Sequence, residues 1–122
     1  MSLADVHITL AARALIAHVT GEVDMSNAED IGATVIDATP NEAQAVILDM
    51  SGVDYLDSVG IYVIFGMRAS LNARGQMLIL VVPPASPVHA SLRLAGAERP
   101  GEAAETVADA LRMLNGGPAP GS

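Results

Sequence analysis

Residues 45–50 read AVILDM, a short continuous apolar run. A run of this length is typical of a strand buried on both faces of a sheet. Residues 77–82, MLILVV, form a second such run that ends at Pro83-Pro84. Between the two runs, helical periodicity begins near Asp57-Ser58 and stops at Gly75. Two buried strands joined through a helix predict a right-handed crossover and a parallel pair.

The flanking elements follow from periodicity and from the residues that begin helices. Alternation over residues 6–10 predicts a half-buried strand, and residues 14–20 predict a second one. Ser26 followed by Glu29 has the form of a capping box and predicts the start of a first helix. Ser86-Pro87 predicts the start of a short third helix in the same way.

Residues 102–114 have helical periodicity, which completes the order strand, strand, helix, strand, helix, strand, helix, helix. We therefore predict an α/β fold with a mixed sheet of four to five strands and about four helices, mainly on one face. A chain of 122 residues suffices for one core. We expect residues 1–115 to form a single domain and the Gly- and Pro-rich residues 116–122 to be a disordered tail.

Composition excludes several classes of function. The net charge of −8 argues against nucleic acid and anionic membrane surfaces, and favours a basic protein partner. His7, His18 and His89 lack metal-ligand spacing, and no cysteine is present. No phosphate-binding loop or nucleophile elbow occurs either. We expect no metal, no other cofactor and no enzymatic activity, and we interpret Asp54 and Asp57 as capping or solvated carboxylates.

The chain also lacks membrane and secretion signals. No stretch approaches the roughly 20 apolar residues that cross a bilayer. The N-terminus does not have the basic and apolar regions of a signal peptide. The absence of cysteine fits a reducing compartment, and we expect a soluble, cytoplasmic protein without membrane insertion.

Residues 48–61, LDMSGVDYLDSVGI, are the most informative stretch for function. They predict a buried strand, a loop at residues 51–56, and a helix that begins at Asp57-Ser58. Ser58 is expected to be exposed beside free backbone N–H groups, at the positive end of the helix dipole. A phosphate there would add about two negative charges beside Asp54 and Asp57 while leaving the domain folded. From these residues alone, an ordinary helix cap at Asp57 or Ser58 is the simpler interpretation.

The same stretch resembles the Asp-Ser-Ser/Thr-Gly signature of the STAS-domain anti-sigma factor antagonists. Asp57, Ser58 and Gly60 match it, whereas Val59 stands where a second hydroxyl residue is usual. Residues 21–24, GEVD, resemble the turn that precedes the family's first helix, and residues 92–96 resemble its third helix. The similarity extends in order from about residue 6 to about residue 114.

This resemblance implies that Ser58 is a phosphoacceptor in a partner switch that regulates transcription. The unphosphorylated protein would bind an anti-sigma factor that is also a serine kinase, and so free a sigma factor. The kinase, using ATP and Mg²⁺, would phosphorylate Ser58 and break the complex, and a serine phosphatase would reset it. Asp24 would lie near Ser58 and engage the kinase, although an ordinary loop or cap aspartate explains this residue equally well.

One face of the second helix bears on partner binding. Val59, Tyr62, Val63 and Gly66 share it, apart from the stripe of Ile61, Ile64, Phe65 and Leu71 that we expect to point inward. If the first face is exposed, it gives an apolar patch beside Ser58, and if both sides are covered, it is core. The predicted partner-binding residues are Asp24, Asp54, Asp57, Val59, Gly60 and Tyr62.

Two points stay open in the sequence. Residues 97–101, AERPG, stand where the family usually has a last strand, which is either missing or an edge strand that tolerates Pro100.

Two other functions are possible: a non-phosphorylated STAS subunit of a membrane transport complex that docks on an ATPase, and a nucleotide-binding or stress-complex scaffold module. The oligomeric state is not predicted.

Overall fold

A five-stranded sheet runs through the computed structural model, which describes residues 3–116. The predicted tail at 116–122 lies outside these residues except for Gly116. In chain order, the strands are β1 (Ala4–Leu10), β2 (Ala14–Val23), β3 (Ala45–Leu56), β4 (Met77–Val81) and β5 (Ala103–Ala104), and the helices are α1 (Ala28–Ala38), α2 (Ser58–Ala73), α3 (His89–Leu94) and α4 (Val107–Leu114).

The spatial order of the strands is β1-β2-β3-β4-β5, and the sheet is mixed. β1 pairs with β2 in the antiparallel direction, while β2, β3, β4 and β5 pair in parallel. The run at residues 45–50 forms the central strand, where Val46 and Ile47 are fully buried. The predicted α/β fold and the parallel pair of buried strands are therefore confirmed.

The two faces of the sheet carry separate apolar clusters. On one face, α1, α2 and α3 cover side chains such as Leu15, Leu48 and Leu80. On the other, α4 packs Val107, Ala110 and Leu111 over a smaller cluster from the central strands. Most helical packing thus lies on one face, as predicted. Within residues 3–116, no helix is both long and apolar enough to span a membrane.

The prediction of a loop at residues 51–56 is wrong, because β3 continues to Leu56. β2 likewise extends to Val23, so residues 21–23 of the predicted turn belong to a strand. The two extensions pair Gly21 with Val53 and Val23 with Leu56, and a register shift leaves Asp54 as an extra residue. Such a bulge interrupts the alternation of apolar and polar residues, which made this stretch resemble a loop.

Three helix starts, those of α1, α3 and α4, also differ from the predictions. Asn27, rather than Ser26, occupies the N-cap position of α1, and the Ser26 hydroxyl donates to Asp24. α3 begins at His89, two residues after Pro87. The backbone of residues 86–88 forms a turn first, with His89 N–H donating to the Ser86 carbonyl oxygen at 3.2 Å.

The last predicted helix begins five residues late. Thr106 caps it, accepting a hydrogen bond from Asp109 N–H at 3.1 Å, and the helix starts at Val107. The preceding residues, Ala103 and Ala104, pair with β4 as the short edge strand β5. The fifth strand therefore exists, but it lies after residues 97–101, where a strand was in question. Pairing with β4 outweighs the helical periodicity of these two alanines.

Asp49 is a partly buried residue of β3 with a set of hydrogen bonds that affects stability. His18 Nδ1 lies 2.8 Å from Asp49 Oδ2, and Ser51 donates to Oδ1 from its backbone N–H and its hydroxyl, at 3.0 and 2.7 Å. Partial burial raises the pKa of Asp49, but the bonds from Ser51 and then His18 outweigh it and lower the pKa overall. The ionised carboxylate is thus favoured by folding.

Asp49→Asn is expected to change how stability depends on pH. Because the folded-state pKa is depressed, the wild type has this stabilisation above the unfolded pKa of about 4 and loses it as pH falls further. Urea unfolding between about pH 6 and pH 3 should show a smaller loss of stability for Asp49→Asn than for the wild type. Asp54→Asn, at an exposed bulge, is the control. Equal losses for wild type and Asp49→Asn would contradict the assignment.

Candidate phosphorylation and partner-binding site

Helix α2 begins with a well-defined cap at Asp57. Asp57 Oδ1 accepts a hydrogen bond from Gly60 N–H at 2.9 Å, and the Asp57 carbonyl oxygen accepts one from Ile61 N–H at 3.1 Å. An aspartate in this position satisfies donors that the helix start would otherwise leave unpaired. The sequence left Asp57 and Ser58 as alternative caps, and the structure assigns the role to Asp57.

Ser58 is therefore the first residue of α2 and is not needed to cap it. Its side chain is exposed and makes no hydrogen bond to other residues in the described range 3–116. The backbone N–H groups of Ser58 and Val59 point from the helix start without a partner in this range. The hydroxyl is thus accessible, beside the positive end of the helix dipole.

Asp57 also joins two segments that are distant in sequence. Its Oδ2 atom accepts a hydrogen bond from Met25 N–H at 3.0 Å, and its own N–H donates to the Val23 carbonyl oxygen at 3.2 Å. These bonds hold the turn between β2 and α1 against the start of α2. The turn that contains Asp24 and the segment that contains Ser58 therefore form one continuous surface.

Asp24 organises that turn internally. Its carboxylate accepts hydrogen bonds from the Ser26 hydroxyl and from Ser26 N–H, and these bonds lower the pKa of Asp24. Its carbonyl oxygen accepts bonds from Asn27 N–H and Ala28 N–H. These contacts agree with an ordinary loop aspartate, and the engagement of a kinase by Asp24 stays a prediction.

Gly60 lies in the core rather than on the surface. A Cβ atom at this position would approach Leu56 Cδ1 to 2.4 Å and Val23 Cγ1 to 3.2 Å. Glycine therefore lets the first turn of α2 pack closely on the ends of β2 and β3. This packing explains why glycine stands here, whereas its predicted contact with a partner stays untested.

Large apolar side chains are exposed on α2 after Ser58 and in the turn that is bonded to Asp57. Tyr62, one helical turn after Ser58, is 77% exposed, and Met25, in the bonded turn, is 75% exposed. Asp54 is exposed, while Val59 is half-buried. The face of α2 beside Ser58 is thus open at Tyr62 and Gly66 and partly covered at Val59 and Val63. The sequence analysis missed Met25, because no local pattern shows that the turn would meet α2.

The inward stripe of α2 is confirmed in part. Ile64 and Leu71 are buried, but Ile61 and Phe65 are half-buried at the edge of the core. Met67 and Arg68 complete the buried face.

The described range 3–116 contains no cluster of His, Asp or Glu arranged to hold a metal ion. His18 instead pairs with Asp49, and His89 lies 3.4 Å from Glu98.

A family model of the STAS domain matches residues 5–110, which is most of the chain. This chain belongs to the STAS domain family. The resemblance seen in the sequence is thus confirmed for the family, and the order of strands and helices fits it. No curated protein matches the sequence.

Several solved structures share the fold of this STAS domain. An anti-sigma factor antagonist from Mycobacterium paratuberculosis has 22% identity and a TM-score of 0.70, over 92% of this chain and 94% of that one. The anti-sigma factor antagonist SpoIIAA in its unphosphorylated form has 19% identity and a TM-score of 0.73, with coverages of 92% and 97%. Bacillus SpoIIAA in its phosphorylated form has 17% identity and a TM-score of 0.66, with coverages of 90% and 99%.

A sulfate transporter family protein from Wolinella succinogenes is also similar to this STAS domain. It has 19% identity and a TM-score of 0.70, over 88% of this chain and 92% of that one. At these identities the likeness establishes the fold. The neighbours therefore include both anti-sigma factor antagonists and a transporter protein, which are two of the functions that the sequence left open.

Proposed function

We propose that this STAS domain is an anti-sigma factor antagonist whose partner binding is controlled by phosphorylation of Ser58. The unphosphorylated domain binds an anti-sigma factor with serine kinase activity and thereby releases a sigma factor for transcription. Phosphorylation of Ser58 by that kinase dissociates the complex, and a serine phosphatase restores the starting state. Ser58 is the substrate of the kinase, and the domain itself catalyses nothing in this scheme.

The division of roles between Asp57 and Ser58 carries this proposal. Asp57 caps α2 and ties down the preceding turn, so the fold does not use the Ser58 hydroxyl. A helix N-terminus tolerates a phosphate well, with about 0.3–1 kcal/mol of stabilisation from the dipole. Val59, the next residue, has no hydroxyl and is half-buried, which leaves Ser58 as the acceptor within the motif.

Electrostatics explain how one phosphate can act as a switch. It adds about two negative charges at pH 7. The surface around Ser58 already carries Asp54 and the carboxylate of Asp57, on a chain with net charge −8. The partner fits the unmodified patch, where Tyr62 and Met25 are exposed. After phosphorylation, the same partner surface must accept the doubly charged phosphate without its water. The domain stays folded while the complex is weakened.

The comparisons support this proposal through the proteins they name. Two of the similar structures are anti-sigma factor antagonists, and SpoIIAA has been solved in unphosphorylated and phosphorylated forms. The Asp-Ser-x-Gly stretch of this chain, residues 57–60, lies at the start of α2. Together with the free hydroxyl, these similarities favour the antagonist over a fold shared without the switch.

Incubation with an anti-sigma factor kinase and Mg-ATP, followed by mass spectrometry, tests the acceptor. We expect one phosphate on the wild type and none on Ser58→Ala. Ser91→Ala is the matched control, because Ser91 is an exposed serine on α3, outside the Asp24 turn and the start of α2, and should not affect the result. A phosphate that persists on Ser58→Ala, or no phosphate on the wild type with a kinase that binds it, would contradict the proposal.

The second candidate is a STAS subunit of a membrane transport complex that docks on an ATPase without phosphorylation. The similarity to the Wolinella sulfate transporter family protein favours it. Here Tyr62 and Met25 would still form part of a docking surface, but Ser58 would be an unmodified surface residue. Tight binding to a transport ATPase together with no phosphorylation of Ser58 would support this alternative.

A further inference from the structure

A groove lies between α1 and α2 and begins one helical turn after Ser58. The two helices run in the same direction: Met25 N–H, before α1, donates to Asp57 at the start of α2, and Arg74, after α2, donates to the Thr39 carbonyl oxygen after α1. The groove is open to solvent and offers a volume of about 430 Å³. Its apolar lining comes from Ala33, Ile36, Val63 and Met67.

Two glycines in this groove have different consequences. At Gly32 the helices touch, since a Cβ atom would lie 2.7 Å from Val63 Cγ1, and close packing requires glycine. At Gly66 a Cβ atom would meet no other atom within 4 Å, and the residue is exposed. Glycine inside a helix is destabilising relative to alanine. Packing within the domain does not account for Gly66, but the missing side chain keeps the groove open.

The rim of the groove is acidic. Glu29 and Asp37, two turns apart on α1, border the apolar lining, and Tyr62 and Ser70 contribute hydroxyl groups from α2. None of the residues that line the groove, all within residues 3–116, is basic. Arg74, beyond its far end, is already bonded to the Thr39 carbonyl oxygen. The groove therefore combines an apolar floor with a negative edge, on a chain with net charge −8.

We propose that this α1–α2 groove binds an amphipathic basic helix of a protein partner. Apolar side chains would enter above Gly66, and arginine or lysine on the flanks would face Glu29 and Asp37, as in other helix-in-groove complexes. The inference rests on the proposed function in taking the occupant to be part of the partner that contacts Ser58. A second copy of this chain is disfavoured, because both copies are strongly acidic. A fatty acyl chain would gain nothing from the carboxylates.

Selection from a phage-displayed library of helical peptides of about four turns, with the unphosphorylated full chain as target, tests the chemistry. We expect the selected peptides to carry apolar residues at i, i+3, i+4 and i+7 with arginine or lysine beside them. Fluorescence anisotropy then measures the affinity of the tightest-binding peptide for the wild type and for each variant of the chain. Gly66→Leu should weaken binding at least about tenfold by filling the groove, while Gly66→Ala should stay within about threefold.

A second variant and a charge variant complete the test. Ala33→Arg, at an exposed position of α1, should weaken the peptide at least about tenfold by placing a cation in the groove. Neutralising Glu29 and Asp37 together (Glu29→Gln, Asp37→Asn) should weaken it about three- to tenfold at low salt and reduce the salt dependence. Urea unfolding of each variant verifies that the domain is folded.

The inference would be overturned if no peptide were enriched, or if the enriched peptides were acidic or uncharged. It would also be overturned if the peptide bound Gly66→Leu and Ala33→Arg as tightly as the wild type, or if decanoate rather than a peptide occupied the groove. A dimer of this chain that is broken by Gly66→Leu would also overturn it, by making the groove a self-association surface. The assay does not use phosphorylation of Ser58. If the groove binds no such peptide but Ser58 is phosphorylated, the proposed function stands and the groove inference fails. If the groove binds the peptide but Ser58 is not phosphorylated, the groove inference stands and the proposed function fails.

Discussion

A Ser58→Asp variant is expected to bind the anti-sigma factor kinase at least about tenfold more weakly than the wild type does. The introduced carboxylate imitates part of the phosphate charge at a position where the surface already carries Asp54 and Asp57. Ser58→Asn is the matched control, because asparagine has nearly the same size and shape without the charge. It should stay within about threefold of the wild type. Isothermal titration calorimetry with the kinase and a non-hydrolysable ATP analogue measures both.

Stability should not explain this loss. Because Ser58 is exposed and Asp57 already caps α2, both variants should unfold within about 0.5 kcal/mol of the wild type in urea. Equal weakening by Ser58→Asp and Ser58→Asn would mean that Ser58 contributes through its shape or its hydroxyl, not through a charge switch. Unchanged binding by both variants would place Ser58 outside the interface.

Gly21→Ala is expected to destabilise the domain by about 2–5 kcal/mol, the largest effect on stability that we predict. Gly21 has φ of 92°, and an added Cβ atom would lie 2.0 Å from the Leu3 carbonyl oxygen. That oxygen accepts a hydrogen bond from Glu22 N–H at 3.0 Å. The substitution therefore strains the backbone of β2 and pushes β1 away at the same time. Urea unfolding measures the change.

Gly75→Ala separates the two causes. Gly75 has a similar φ of 73°, but a Cβ atom there would meet nothing within 4 Å. It should lose about 1–2 kcal/mol, the cost of a left-handed conformation for alanine. The excess loss in Gly21→Ala then reports the clash with Leu3. Equal losses would show that β1, an edge strand, moves aside without a significant penalty.

Much of the fold could be predicted from short patterns. The continuous apolar run at residues 45–50 and its repeat at 77–82 predicted the two buried strands, because a strand covered on both faces needs apolar residues at every position. The helix between them and the turn at Gly75 followed from periodicity and from a glycine that can adopt positive φ. For the site, the order Asp57, Ser58, Gly60 was sufficient to select the start of α2.

Other features depend on partners that are remote in sequence. Residues 51–56 form a strand because β2 supplies their hydrogen bonds, and Ala103–Ala104 form one because β4 does. Arg68 lies at an inward position of α2, 2% exposed, with Nη2 donating to the Ala97 carbonyl oxygen at 2.9 Å. Its burial lowers the pKa of Arg68, and the polarity of arginine gave no indication that it would be enclosed.

The candidate site divides in the same way. The sequence by itself predicted the helix that begins at Asp57-Ser58 and selected Ser58 as the proposed acceptor, since both depend on residues within one helical turn. Only the tertiary structure decided that Asp57 caps α2 while also binding Met25 N–H, and that Gly60 is enclosed by Leu56 and Val23. The contacts with Met25 and Val23 form between segments more than 30 residues apart, so they arise from strand pairing and helix packing rather than from local pattern.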